Sequence, residues 1–128
     1  MDIAFEKGGG LVPAIVQDSR TGEVLMLGFM NAEALAETQR TRAAVFFSRS
    51  RNRLWKKGET SGHVLRVVEM RIDCDADALL LRVELAGPGV CHEGYFSCFF
   101  RRIEESGGAR TIGERTFDPD KVYAPGTE

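Results

Sequence analysis

The stretch RIDCDADALLLRV, residues 71–83, decides the fold. Apolar sequence stands on both sides of three aspartates: VLRVVEMRID ends at Asp73, and ALLLRVEL begins at Ala78. Both flanks read as strands with the acidic residues between them. Asp73, Asp75 and Asp77 occupy every second position. Side chains on an extended chain alternate faces, so an extended 71–77 would put the carboxylates on one face and Cys74 on the other. Three like charges side by side repel. A hard cation such as Mg²⁺ or Ca²⁺ removes the repulsion by taking oxygen ligands. The alternative is a solvated acidic turn, where aspartate is common. An EF-hand loop is excluded, because its glycine and distal glutamate are absent. Mg²⁺ held by few carboxylates usually also touches phosphate, which directs attention to a phosphorylated substrate.

Outward from this stretch, LVPAIVQD and EVLMLGFM flank SRTG and read as a hairpin. Pro13 predicts an edge strand or a strand just beginning. NAEALAETQRT has an asparagine N-cap and strong helix formers, giving a helix over about Ala32–Arg40. AAVFFS and FSCFFRRI read as further strands. Gly8–Gly10 reads as a flexible entry; a phosphate loop would need a following Lys-Ser/Thr. From Glu104 the chain is rich in glycine and charge, with Pro119 and Pro125, and an extended, partly mobile tail is expected. Strands with one clear helix and no βαβ alternation predict an α+β domain on a mostly antiparallel or mixed sheet.

The 128 residues fit one domain, and 43% apolar residues supply a core. A net charge of −2 argues against a protein that coats nucleic acid. No apolar run reaches membrane-spanning length, and the N-terminus lacks a basic region followed by an apolar block, so a cytoplasmic protein is expected.

Three cysteines, Cys74, Cys91 and Cys98, stand as C-x16-C-x6-C. Reduced thiols in such a chain suit Zn²⁺, with a fourth position open to water; three inert buried cysteines are the alternative. Only two histidines exist. His92 follows Cys91, and His63 ends KGETSGH; either could be a general base or acid, or structural. Between Glu37 and Glu59 there is no acid, but Arg40, Arg42, Arg49, Arg51, Arg53, Lys56 and Lys57 are present. This is either a solvated basic loop or a phosphate site, to which Thr60 and Ser61 of GETSG add hydroxyls. Trp55 stacks on a base or joins the core.

LVPAIVQD, GEVLMLGFMN, FFSRSRNRLWKKGETSGH, DCDADALLL and CHEGYFSCFFR, in this order, resemble the phosphoribosyl-AMP cyclohydrolase family of histidine biosynthesis over about residues 8–103. The resemblance implies a homodimer, intertwined, that opens the adenine ring at the N1–C6 bond with zinc-activated water. It implies Mg²⁺ at Asp73, Asp75 and Asp77. It implies Zn²⁺ at Cys91 and Cys98 of one subunit and Cys74 of the other. His92 and His63 become the catalytic candidates. Arg49, Arg51, Arg53, Trp55, Lys57, Thr60 and Ser61 become candidates for binding the nucleotide.

Phe96 departs from an arginine that the family often carries before its Ser-Cys pair. Many relatives add a phosphoribosyl-ATP pyrophosphohydrolase domain. Residues 1–103 are expected to form the cyclohydrolase domain and 104–128 a tail with no second catalytic domain.

Two rival readings fit less well. A zinc nucleobase deaminase would show H-x-E followed by P-C-x-x-C; here CHEG sets His next to Glu and no C-x-x-C exists. A zinc-stabilised nucleic-acid module would want four closed ligands and an overall basic charge.

Overall fold

The computed structural model describes residues 2–122. The expected hairpin forms from β1 (Val12–Asp18) and β2 (Val24–Met30), antiparallel from Val12↔Met30 to Gln17↔Val24. Asp18 closes its turn: the carboxylate accepts the Thr21 hydroxyl at 2.8 Å, and its carbonyl accepts the Gly22 N–H at 2.9 Å. Between Thr41 and Leu65 lie two shorter strands of one further hairpin, β3 (Val45–Ser48) and β4 (Arg53–Lys56). The two strands around the aspartates are β5 (Leu65–Ile72) and β6 (Leu79–Leu85), paired antiparallel. β6 also pairs parallel with β1, Ala14 opposite Leu79. The main sheet therefore has the order β2-β1-β6-β5 and is mixed, as expected.

Pro13 sits second in β1, not on an edge strand: β1 lies between β2 and β6. The position is tolerated because pairing with β6 begins one residue later, at Ala14. Val12, Ala14, Val16, Leu79, Leu81, Val83, Leu65 and Val67 fill one buried face. The helix α1 (Ala32–Thr41) covers part of the core, and Asn31 caps it by accepting the Ala34 N–H at 2.8 Å. Buried Thr38 ties helix to strand: its hydroxyl donates to the Ala34 carbonyl and accepts the Val45 N–H at 3.0 Å. The opposite face of the sheet keeps Ile15 and Leu27 over a third exposed, beside half-buried Leu80 and Phe29.

Three segments differ from the sequence expectation. Residues 73–78 are a turn, not extended chain. Asp73 Oδ1 accepts the N–H groups of Asp77 at 3.0 Å and Ala78 at 3.2 Å, and Ala76 takes φ 62°. An aspartate side chain that bonds the backbone ahead of it favours a turn over a ladder.

Phe96–Phe100 is not strand either; β7 is only Arg101–Ile103. Ser97 Oγ donates to the Val24 carbonyl at 2.8 Å and accepts the Phe99 N–H at 2.9 Å, and the Cys98 N–H donates to the Leu25 carbonyl. These bonds tie an irregular segment to β2. The third difference is beyond Glu104, where the expected extended tail contains β8 (Ala109–Thr111), paired with β7. The 103/104 boundary thus falls within a hairpin. A short helix α2 (Pro119–Val122) follows; Pro125 lies outside the described residues. No helix among them is long and apolar enough to cross a membrane.

Candidate active site

The turn between β5 and β6 gathers the aspartates. One carboxylate oxygen from each of Asp73, Asp75 and Asp77 lies within 4.8 Å of the others. The convergence comes from the turn, not from strand alternation. Asp75 and Asp77 share a hydrogen bond that divides them: it leads the causes that raise Asp77 above the ordinary carboxylate range and those that lower Asp75. Lys7 Nζ supplies a neighbouring cation, 3.6 Å from Asp75 Oδ2 and 3.6 Å from Asp77 Oδ2. The same turn exposes Cys74.

The other thiols lie at the far end of β6, beyond Gly87. Cys91 is buried and Cys98 exposed as a residue. The Cys98 thiol is nevertheless pushed up to about 11, by burial first and by the adjacent Cys91 second, with Lys57 opposing. Among the described residues, the aspartates are the one group of three acidic, thiol or imidazole ligands that converges within a chain. β6 explains why Cys74 does not join the other two. Its seven residues separate the acidic turn from the thiol loop by roughly 20 Å at strand rise.

His92 is exposed in the turn after Cys91. His63 is packed tightly. A Cβ on Gly87 would collide with its ring, and Phe117 meets it edge-on at 4.9 Å. Its backbone N–H donates to Ser61 Oγ at 3.1 Å, while Nδ1 is buried with no partner.

The basic segment divides. Arg51, Arg53 and Trp55 line a cavity of about 230 Å³ with Ser48 and Ser50, on the β3–β4 hairpin. Arg49 lies apart, its guanidinium 4.1 Å above the Phe29 ring. Lys57 reaches toward Trp55, 5.7 Å from its ring, and acts on Cys98. Thr60 and Ser61 belong to the loop before His63. Trp55 packs at 5.2 Å on Phe46, so it serves both core and cavity. Phe96 is half-buried against the core, where an arginine would not fit without a partner. Sequence reasoning missed Lys7, Ser48 and Ser50. The two serines stood inside the basic run as a signal, whereas Lys7 meets its partners only through folding.

An α+β domain with a mixed sheet that carries a carboxylate trio able to hold a metal ion, and a separate pair of neighbouring thiols, fits the class of metal-dependent enzymes. The chain belongs to the phosphoribosyl-AMP cyclohydrolase family, whose model matches residues 26–100. It is 54% identical over 123 residues to the phosphoribosyl-AMP cyclohydrolase of Desulforapulum autotrophicum, covering 96% of this chain and 98% of that protein. It is 56% identical to the enzyme of that name from Rhodopseudomonas palustris, covering 89% of this chain and 79% of that protein. The Pelotomaculum thermopropionicum enzyme is 56% identical over 114 residues.

Proposed function

We propose that this chain hydrolyses phosphoribosyl-AMP, opening the adenine ring at N1–C6 in histidine biosynthesis, as a homodimer with two metals. The observation that carries the two-metal reading is the division of the ligands between the two ends of β6. The acidic trio suits a hard cation such as Mg²⁺, and the thiol pair suits Zn²⁺. Cys74 cannot reach Cys91 and Cys98 of its own chain across the strand. A partner copy would bring its Cys74 to this pair, so the protomer alone holds two incomplete half-sites. The apolar sheet face around Ile15, Leu27 and Leu80 offers a surface for that partner.

Bound at the thiols, zinc would supply Lewis-acid chemistry, bringing the pKa of its water toward about 7 in favourable sites. The chain does the rest. Arg51, Arg53, Ser48 and Ser50 hold a substrate phosphate, with Trp55 beside it. Asp73, Asp75 and Asp77 would hold a hard cation, which would supply a positive charge for the other phosphate. The His92 imidazole accepts a proton from the attacking water, and a protonated histidine returns one to N1 as the C6–N1 bond breaks. His63 is the alternative for either transfer, because its buried Nδ1 is unpaired.

The test is direct: purified protein loaded with Zn²⁺ and Mg²⁺ should change the ultraviolet spectrum of phosphoribosyl-AMP. An unchanged spectrum with both metals bound would overturn the reading.

A further inference from the structure

The segment after Gly113 folds back over the loop that carries Cys91 and His92. The Thr116 N–H donates to the Gly94 carbonyl at 2.8 Å, and its hydroxyl donates to the Pro88 carbonyl at 2.9 Å. The same hydroxyl lies 3.4 Å from the Gly94 oxygen. Arg115 and Tyr95 form an antiparallel bridge just before this clasp. Gly94 permits the approach: it takes φ +98°, and a Cβ there would stand 2.6 Å from the Phe117 carbonyl oxygen. One residue after Thr116, the Phe117 ring meets His63.

Inside the clasped loop the Val90 N–H donates to the Phe96 carbonyl at 3.1 Å and Val90 and Cys91 are buried, while His92 and Glu93 are exposed. The Cys91 N–H donates to Tyr95 and the Gly94 N–H to Cys91, at 3.1 and 3.0 Å. Glycines stand on both sides of Cys91, at Gly89 and Gly94, and glycine leaves a backbone many conformations. Thr116 spans the loop with two donors, its hydroxyl on the Pro88 carbonyl and its N–H on the Gly94 carbonyl, and so fixes the distance between the two ends of the segment that carries Cys91 and His92. Thr116 itself lies beyond residue 100, where the family match ends, although its partners Pro88 and Gly94 lie within it.

We infer that Thr116 is a positioning residue: its hydroxyl sets the geometry in which the Pro88–Gly94 loop presents the Cys91 thiol and His92. The inference rests on the catalytic reading of that loop. Thr116→Val removes the hydroxyl at constant shape, and because Thr116 is exposed the variant should fold. Thr116→Ser restores it.

Two measurements are needed: amide hydrogen exchange of Cys91 and Gly94 in metal-free protein, and kcat and KM in the metal-loaded enzyme. In Thr116→Val, both amides should exchange about fivefold faster and kcat should fall about fivefold, the worth of one net hydrogen bond. KM should stay within about twofold, and Thr116→Ser should restore both quantities. Wild-type exchange in Thr116→Val, faster exchange with unchanged kcat, or failure of serine to rescue would each overturn the positioning role. Failure of the underlying reading looks different: Cys91→Ser would then keep its zinc and its turnover.

Discussion

The Lys7 ammonium stands 3.6 Å from Oδ2 of Asp77, inside the carboxylate group proposed to hold a hard cation. A lysine there lessens the mutual repulsion of the aspartates when no metal is bound, and it competes with a metal for the same oxygens. Lys7→Met should therefore bind Mg²⁺ more tightly, by up to about fivefold, the range of an exposed ion pair. The gain should shrink as salt is raised. Calorimetric titration with Mg²⁺ at two ionic strengths measures both; equal affinities for variant and wild type would remove Lys7 from the site.

Acidification should act on Asp77 before Asp75. Asp77 is raised by its bond to Asp75, so it takes up its proton at higher pH than an ordinary aspartate, while Asp75 stays charged to lower pH. A cation needs the ionised forms. Mg²⁺ affinity should thus begin to fall at higher pH than for a site of unshared aspartates. Asp75→Asn should bring the Asp77 midpoint down, which carboxyl NMR would register, and should weaken Mg²⁺ while zinc content stays near wild type. Equal loss of zinc would place aspartates and thiols in one site.

Hybrid dimers test the division of ligands between chains. Cys74→Ser and Cys91→Ser proteins should each be inactive. Mixed, they should form heterodimers with one intact zinc site if the proposed shared site holds, and part of the activity should return. Heterodimers verified by mass spectrometry that stay inactive would rule out a shared site.

His92→Ala should keep zinc and dimerisation but lose about 10²–10⁴ in turnover, the contribution of a well-placed general base. Higher pH should relieve part of the loss, since hydroxide then forms without the base. His63→Ala, measured in parallel, exchanges the two roles if His92→Ala turns over normally.

Much of this fold is legible in the sequence, because its signals are local. Asn31 announces the start of α1, and the alternation of Val12, Ala14 and Val16 gives β1 its buried face. β4 was hidden because charge dominates RNRLWKK, although Asn52 at φ 52° makes a ready turn between β3 and β4. The aspartates leave two readings open, extended chain and acidic turn, because a period of two fits both; the bonds to Asp73 Oδ1 select the turn. Phe96–Phe100 looked like a strand by composition, but the Ser97 hydroxyl took over the backbone partners a ladder would have used. Lys7 beside Asp77 and Thr116 on Pro88 join distant parts of the chain, and no local pattern announces them.

The parallel seam between β1 and β6 has a consequence for the order of folding. Each of the two hairpins that flank it closes over a short stretch of chain, but Ala14 meets Leu79 only after everything between them has been looped out. Closing so long a loop costs entropy that the seam's contacts repay only once it forms. The hairpins should therefore form early and separately, and the seam should come late and limit the rate. Because β6 belongs to one of the early hairpins, the aspartate turn is shaped before the sheet that will carry it is complete.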